Sequence, residues 1–310
     1  MDLSIVIVNW NTRDLLRDCL MSVERHLCGV TAEIIVVDNA STDDSVEMVK
    51  QLFPGVCLIV NSENRGFAAA NNQAFRQARG NYTLLLNSDT LVHGDVLLRS
   101  IQYLDANPKV GMMGCKVLNG DGSTQLTCSQ FPTFTNLVIQ TLGANRLGGS
   151  FFGRYQMLDW ARDDEREVEV ISGCYLMVRS LVIDEIGYLD EAFFCYGEET
   201  DWCRRGMEAG WKLKFAPVGT ITHFGSGTTS KLNHKRDLML SEGTIRLHLK
   251  HSGPFSAAMV WMLLLIFNCS RSVFWTLRDF LGSNADISSR AQHFRNVVRQ
   301  FNRTWPQLAK

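Results

Sequence analysis

Short apolar runs alternate with amphipathic stretches along the first 118 residues, and each of the first four runs stops at asparagine or aspartate. Leu3-Ser4-Ile5-Val6-Ile7-Val8 is nearly all apolar, rich in β-branched residues, and ends at Asn9-Trp10-Asn11. Ile34-Ile35-Val36-Val37 ends at Asp38-Asn39, Val56 to Val60 at Asn61, and Tyr82-Thr83-Leu84-Leu85-Leu86 at Asn87-Ser88-Asp89. Runs this short, without polar alternation, predict strands buried on both faces. Helical spacing fills the gaps. Leu15, Leu16, Cys19, Leu20 and Val23 mark one face of a helix from Arg13 to about His26, with Thr12 as cap. Ser41 or Thr42 is placed to cap a second helix, with Asp43 and Asp44 in its first turn. A third opens at Gly66 and runs through Ala78, and a fourth spans about Asp95 to Ala106. Val110 to Val117 predicts one more strand.

Strands alternating with helices predict a doubly wound α/β sheet. Asn9, Asp38, Asn61 and Asp89 then fall on one edge, where such sheets bind ligands. If the strand conformation continues past Asn87, that amide and the Asp89 carboxylate share a face. Two such oxygens suit Mg²⁺ or Mn²⁺ carrying a diphosphate; an ordinary polar turn is the other reading of Asn-Ser-Asp. The Asp38 carboxylate can accept from the imide N–H of a uracil or thymine base, or serve as a helix-capping acid. Asn64-Arg65-Gly66-Phe67 reads as a loop where backbone approaches a ligand and Arg65 meets phosphate, or as a plain strand-to-helix turn. Neither G-x-G-x-x-G after the first strand nor G-x-x-x-x-G-K-[ST] is present, which argues against dinucleotide and P-loop chemistry.

Composition narrows the classes further. The chain has 310 residues, 45% hydrophobic and 20% charged, enough for a large core. A net charge of −1 gives no bulk attraction for nucleic acid. Nine cysteines without a C-x-x-C pair argue against zinc or a disulfide scaffold and for a reducing compartment. The first apolar run is too short, and lacks the basic lead, for a signal peptide.

In this order and spacing, SIVIVNWN, VVDNAST, NRGFAAANNQA and LLLNSDT resemble the nucleotide-binding half of family 2 glycosyltransferases. More narrowly they resemble the rhamnosyltransferase-type members that build bacterial surface polysaccharides. The resemblance covers roughly residues 3–250. It implies a GT-A type, Rossmann-like nucleotide-binding domain, an inverting mechanism and a nucleotide-diphosphate sugar donor. On that resemblance Asn9, Asn11, Asp38, Asn64, Arg65, Gly66 and Asn87 serve the nucleotide, with Asp38 as the base-binding acid. Asp89 corresponds to the metal-binding acid of the DxD motif, whose first acid is replaced here by Asn87.

Three stretches of the second half carry further expectations. Asn119-Gly120-Asp121-Gly122-Ser123 reads as a hairpin tip. Residues 131–165 read as a long mobile loop over the acceptor, with Arg162 to Glu167 as a solvated charge run. Ser172-Gly173-Cys174 reads as a close approach at Gly173, beside donor and acceptor in the family, with Cys174 a buried structural thiol. The stretch from Asp190 to Trp202 resembles the family's acidic catalytic motif, whose usual Glu-Asp stands at Glu198-Glu199. A helix from Thr200 to Ala209, closed by Gly210, puts both glutamates at its N-terminus, where the dipole favours ionisation. Asp201 and Arg205 are spaced to pair. By correspondence Glu199 is the base and Glu198 its rival, with Gly173, Asp201 and Trp202 beside sugar or acceptor. Residues 221–229 resemble the family's closing loop, in which His223 would meet metal or phosphate. Lys231, His234, Lys235 and Arg236 follow, either as diphosphate contacts or as a solvated basic face.

The tail differs in character. Phe255 to Phe267 is almost wholly apolar, but thirteen residues fall short of the ~20 that span a bilayer. Asn268, Ser270 and Arg271 interrupt it before Val273-Phe274-Trp275 resumes. With Arg271, Arg278, Arg290, Arg295 and Arg299 nearby, the segment suits a helix lying in the membrane interface; a core hairpin or a homodimer interface is the alternative. The expected division is a nucleotide-sugar half (1–118), an acceptor and catalytic half (119–250) and a helical extension (251–310). The expected activity is metal-dependent, inverting transfer of L-rhamnose from dTDP-L-rhamnose to a lipid-linked glycan at the cytoplasmic membrane face. An inactive nucleotide-binding or scaffold protein of a polysaccharide assembly complex is the alternative, supported by the Asn87 and Glu199 departures.

Overall fold

Strands buried from both sides organise the chain. The computed structural model describes residues 1–225, 233–282 and 284–306, without the side chain of Ser150. Positions 226–229 of the expected closing loop, and Lys231, lie outside the described residues. In chain order the first part holds β1 (Leu3–Asn9), α1 (Arg13–Arg25), β2 (Ala32–Asp38), α2 (Ser45–Leu52) and β3 (Cys57–Val60). It continues with α3 (Phe67–Phe75), β4 (Tyr82–Asn87), β5 (Thr90–Val92), α4 (Val96–Ala106) and β6 (Val110–Leu118). There follow β7 (Cys128–Ser129), α5 (Phe134–Thr141), α6 (Gly149–Phe152), β8 (Arg166–Glu167), β9 (Val170–Ile171) and β10 (Tyr175–Arg179). The last elements are α7 (Ser180–Ile186), α8 (Glu198–Glu208), β11 (Lys212–His223), α9 (His234–Leu281) and α10 (Ala285–Gln300).

The chain forms two compact units. The first comprises Met1–Phe131, Arg154–Phe194 and Glu198–Thr228. Its main sheet runs β3-β2-β1-β4-β10-β6-β11-β5, with β8 paired to β11. The strands from β3 to β4 are parallel, while β10 and β5 run antiparallel to their neighbours, so the sheet is mixed. Alternate residues of each central strand feed two cores. Leu3, Ile5, Ile7, Val36, Leu84, Leu86 and Met177 join α1, α2 and α4 on one side. Val6, Ile35, Val37, Leu85, Leu176 and Val178 meet α3, α7 and α8 on the other. Burial of both faces explains why these runs carry almost no polar residue.

Several local expectations are corrected. Neither Ser41 nor Thr42 caps α2; its N-cap is Asp44, and Asp43 precedes the helix. Ser41 is drawn instead into the bonding around Asp38. Residues 131–165 contain helical segments, because Thr133 caps α5 and Leu137 and Ile139 are buried. The charge run is not wholly solvated either. Arg162 is 1% exposed. Its guanidinium lies 4.8 Å over the Trp160 ring and donates to the carbonyls of Cys128, Gln156, Met157 and Trp160. Burial pulls its pKa below the usual arginine value.

The second unit comprises Pro132–Gly153, Cys195–Gly197 and Thr229–Lys310. Its α9 is broken at Gly253, whose φ of 83° and ψ of 173° are not helical, and Pro254 restarts the helix. His248 pins this corner: its ring bonds Ser256 Oγ at 2.9 Å and the Pro132 carbonyl at 2.7 Å. Burial holds the imidazole below its ordinary pKa. The neutral ring can then donate to the carbonyl and accept from the hydroxyl. Ile245, Ala257 and Val260 of α9 pack with Leu137 of α5.

Arg162→Met removes the donors of four backbone carbonyls while keeping a similar stem. A loss of roughly 2–4 kcal/mol is expected, since each orphaned buried group costs about 1–3 kcal/mol and neighbours share the damage. Urea unfolding checks it; a loss below ~1 kcal/mol would show that water replaces the guanidinium.

Candidate active site

The polar strand ends meet at one edge, held together by a lattice of buried side chains. Asn9 and Asp38 are registered partners on adjacent parallel strands. Asp38 is 1% exposed. Its Oδ2 accepts from the Asn9 amide at 2.9 Å and its Oδ1 from the Ser41 N–H at 2.9 Å. Ser41 Oγ accepts from the Asn9 amide and from the Asn11 N–H, while Asn11 Oδ1 accepts from the Thr42 N–H at 2.7 Å. Thr12 does not cap α1 with its side chain. It donates to Asn9 Oδ1 at 2.6 Å and lies 2.8 Å from Ser88 Oγ. These bonds fix the loops after β1, β2 and β4 against one another.

A second cluster centres on Asn39, beside Asp38. Its amide donates to Asn64 Oδ1 at 2.8 Å, and its Oδ1 accepts from the Arg65 N–H at 3.0 Å and the Asn61 amide at 3.1 Å. Gly66 has a φ of 82°, and a Cβ there would lie 2.4 Å from the Phe194 carbonyl oxygen. Only glycine fits that position. The next N–H, of Phe67, donates to the same carbonyl at 2.7 Å. The Arg65 side chain is exposed at this edge.

β4 stops at Asn87, and a turn through Ser88 and Asp89 replaces the expected extended continuation. The side chains converge even so. His223 Nε2 lies 3.2 Å from Asn87 Nδ2 and 3.2 Å from Asp89 Oδ1. Its Nδ1 lies 2.7 Å from Gln125 Oε1, whose own amide bonds Asn119 Oδ1. The Gln125 oxygen can only accept, so Nδ1 carries a proton, and Nε2 faces Asp89. A carboxylate oxygen beside an imidazole nitrogen, with the far nitrogen held by an amide, is a donor set that fits a divalent cation. Among the described residues no group of three or more His, Cys, Asp or Glu is arranged to hold a metal. A cation here would therefore draw most ligands from water or a bound diphosphate, as Mg²⁺ commonly does.

The acidic stretch begins α8, two residues earlier than expected. Glu198 is buried and Glu199 partly exposed. Burial pushes the Glu198 carboxyl well above its ordinary 4.5, and the Glu199 charge pushes it further. The expected ionisation of both glutamates is thus corrected for Glu198. A helix dipole offers ~0.3–1 kcal/mol, whereas desolvating an ion costs several kcal/mol. Tyr155 and Cys174 both have pKa values raised first by burial, with Glu199 contributing. Cys174, pushed up to about 12, also feels Asp89, so both acids act on one thiol wall. As expected, Cys174 is a buried thiol.

Two expected ligand contacts are placed in the core instead. Trp202 is fully buried, stacked on Phe75 with centroids 5.4 Å apart, and donates to the Gly187 carbonyl. Asp201 is fully buried and pairs with Arg205 at 2.9 Å, whose other nitrogens hold the Ile186 and Tyr188 carbonyls. Gly173 is no forced close approach, since a Cβ there would meet the Phe67 ring at an ordinary 3.6 Å. Cys174 next to it accepts from the Asn87 N–H at 3.3 Å, which ties this turn to the β4 end. The sequence reading did not single out Asn39, Gln125 and Phe194. Asn39 adjoins Asp38 and was within reach; Gln125 and Phe194 act through tertiary position and carry no local signal.

Residues 4–179 match the family model described as glycosyl transferase family 2. The chain is 24% identical over 247 residues to N-acetylglucosaminyl-diphospho-decaprenol L-rhamnosyltransferase of Mycobacterium tuberculosis, covering 74% of this chain and 79% of that protein. It is 24% identical over 208 residues to a low-salt glycan biosynthesis hexosyltransferase of Haloferax volcanii, covering 66% and 61%. Its fold is similar to that of the mannosyltransferase PcManGT of Pyrobaculum calidifontis in complex with GDP-Man and Mn²⁺. That match has a TM-score of 0.56 and 14% identity, over 97% of this chain and 86% of that one. S. aureus TarS in complex with UDP-GlcNAc matches at a TM-score of 0.52 and 16% identity, over 99% and 82%. The fold is GT-A with added C-terminal helices.

The raised Glu198 pKa sets a pH test. Stability from its protonated form is fully present below the ordinary 4.5 and is lost as pH rises through the higher folded-state value. Glu198→Gln should match the parent in urea at about pH 4 and exceed it at about pH 8. A lower midpoint for the variant at the higher pH would refute the buried proton.

Proposed function

The chain belongs to glycosyl transferase family 2, and from that premise we propose that it moves L-rhamnose from dTDP-L-rhamnose to a hydroxyl of a lipid-linked glycan. The observation that carries the chemistry is the acid pair at the start of α8, one buried with a raised pKa and one partly exposed. Burial favours the protonated form of Glu198, and Glu199 is proposed as the member that carries the charge of the pair. Groups whose environments separate their protonation states divide acid and base roles.

Transfer is then a single inverting displacement. The acceptor oxygen forms its bond to the anomeric carbon from the face opposite the leaving group. Its proton passes to Glu199, and the bond to the diphosphate oxygen breaks with its electron pair. A Mg²⁺ or Mn²⁺ ion supplies charge compensation for that diphosphate when bound. Asp89 and His223 are the residues proposed to hold it, with Gln125 orienting the imidazole. Arg65 is proposed to meet phosphate, and Asn9, Asn11, Asp38, Asn64, Gly66 and Asn87 to shape the nucleotide edge. Asp38 already carries two protein donors, but each of its oxygens has a second lone pair for an imide N–H. The sugar and the lipid-diphosphate acceptor are adopted from the name of the mycobacterial relative.

A lipid-linked acceptor calls for a membrane surface, and α9 offers one. It contains a stretch long and apolar enough to cross a membrane, with a mean hydropathy of 1.6 and 17% of it buried. The helix runs well past the thirteen-residue limit read from sequence, because Asn268 and Ser270 bond back to the Leu264 and Phe267 carbonyls. Phe255, Met259, Met262, Ile266, Val273 and Leu277 recur at three- or four-residue spacing, or its double, and are exposed. Such a face suits an anionic bilayer on the cytoplasmic side, with Arg271, Arg278 and Arg290 at the headgroups.

Calorimetry with Mn²⁺ tests the donor. Preference for dTDP over UDP and GDP is expected, and Asp89→Ala should weaken nucleotide binding only while the metal is present. Glu199→Gln should keep donor affinity and lower kcat by about 10²–10⁴-fold; equal losses of binding and turnover would remove the base assignment. Co-sedimentation with anionic vesicles should fall when Phe255, Ile266 and Leu277 are changed together to Ser. Unchanged sedimentation with altered oligomeric state would assign the stripe to self-association instead.

A further inference from the structure

Three successive carbonyls, those of Ile186, Gly187 and Tyr188, are all taken by side chains of α8. The Arg205 guanidinium donates to Ile186 and, at 2.7 Å, to Tyr188, while the Trp202 indole N–H donates to Gly187 at 2.9 Å. Ile186 ends α7, and Gly187 leaves that helix with a φ of 76°, so the final carbonyls need donors from outside it. The next residue is held from the other side. The Asn72 amide of α3, 2% exposed, donates to the Leu189 carbonyl at 2.9 Å, and its oxygen accepts from the Leu189 N–H at 3.1 Å. Phe75, three residues further along α3, stacks on Trp202. Residues 186–189 thus form a strut between α3 and α8, and all of these groups lie within the first unit.

Both ends of the strut lead to the candidate site. α3 begins at Gly66, directly after Arg65. In α8, Glu198, Asp201, Trp202 and Arg205 recur at three- or four-residue spacing and share one inward face. Asp201 is fully buried and accepts from the Arg205 Nε at 2.9 Å. A guanidinium fixed by a carboxylate presents its remaining donors as a rigid fork. Two carbonyls on that fork fix both the rotation and the height of α8. Glu199 lies about 100° round the helix from Glu198, so its direction follows that rotation. We infer that Arg205 is a positioning residue for transfer: held by Asp201, it locks α8 to the strut and so fixes where the Glu199 carboxylate stands. The inference rests on the proposed role of Glu199 as base. It gives Asp201 and Trp202 a task behind the site in place of the ligand contacts expected of them.

The test is a double-mutant cycle of Arg205→Lys with Glu199→Gln, each protein being assayed below its melting temperature. Lysine keeps a charge for Asp201 but loses the fork. In the parent background, Arg205→Lys should lower kcat by about 100-fold and leave donor KM and nucleotide affinity unchanged. In the Glu199→Gln background the same change should cost less than about threefold, because a misplaced base cannot be lost twice. Equal factors in both backgrounds, the pattern of general loosening, would overturn the inference. So would a kcat within about threefold of the parent, or a nucleotide affinity that falls in step with kcat. If Arg205→Lys does not fold, Asn72→Ser loosens the strut from the α3 side and enters the same cycle under the same criteria. Full turnover in Glu199→Gln would overturn the base reading and the inference with it. Turnover lost in Glu199→Gln but kept in Arg205→Lys would overturn the positioning role alone.

Discussion

A carboxylate buried to 1% exposure, at the end of a strand flanked on both sides, constrains everything around it. Asp38 can remain there only if protein donors replace the water it has lost. Asn9 and the Ser41 N–H do so, and both residues are tied onward to the loop after β1, Asn9 through Thr12 and Ser41 through the Asn11 N–H. The parallel register of β1 and β2 brings Asn9 and Asp38 side by side, so the sheet itself supplies the first bond. Continuous apolar runs and polar termini thus have one cause. Both faces of the strands are closed, and the edge is where polar groups can gather.

The acid pair shows the opposite balance. Desolvation at Glu198 outweighs the helix N-terminus, so the protonated form is favoured for a carboxyl at a position otherwise suited to ionisation. That arrangement costs stability at neutral pH, and it leaves one negative charge where two would repel. Structural economy alone would favour Gln at 198. A site that must accept one proton from a hydroxyl has a use for the protonated neighbour, because it separates the two carboxyls by function without separating them in the chain.

Features with a local cause were legible in the sequence. The strand runs, their polar ends and the Asp201–Arg205 spacing were read from periodicity and helix geometry, and each stands where expected. Features decided by tertiary packing were not. Arg162 sits in a charge run whose composition says solvent, yet four carbonyls and an indole ring bury it. Trp202 and Asp201 fall in the catalytic motif, yet α8 turns both inward, where Phe75 and Arg205 hold them. Asn268 and Ser270 read as interruptions because their return bonds to helical carbonyls exist only once the helix has formed. Gly243 did leave a trace, a glycine within a helical pattern, but the Tyr196 carbonyl that approaches it comes from 47 residues earlier in the chain.

The corner at Gly253 joins two kinds of surface carried by the second unit. Before it, α9 presents a bare backbone to the Tyr196-Gly197 turn. After it, α9 presents an apolar stripe from Phe255 to Leu277. A helix broken by a glycine with left-handed φ and restarted by proline has no continuous backbone ladder to keep its two segments aligned. His248 takes over that task by bonding forward across the break to Ser256 and sideways to the Pro132 carbonyl. Burial favours its neutral form, in which Nε2–H donates to the carbonyl and Nδ1 accepts from the hydroxyl. The buried imidazole thus ties the two segments together, beside the packing of Ile245, Ala257 and Val260 with Leu137. The apolar stripe and the bare backbone at Gly243 belong to one stiffened element.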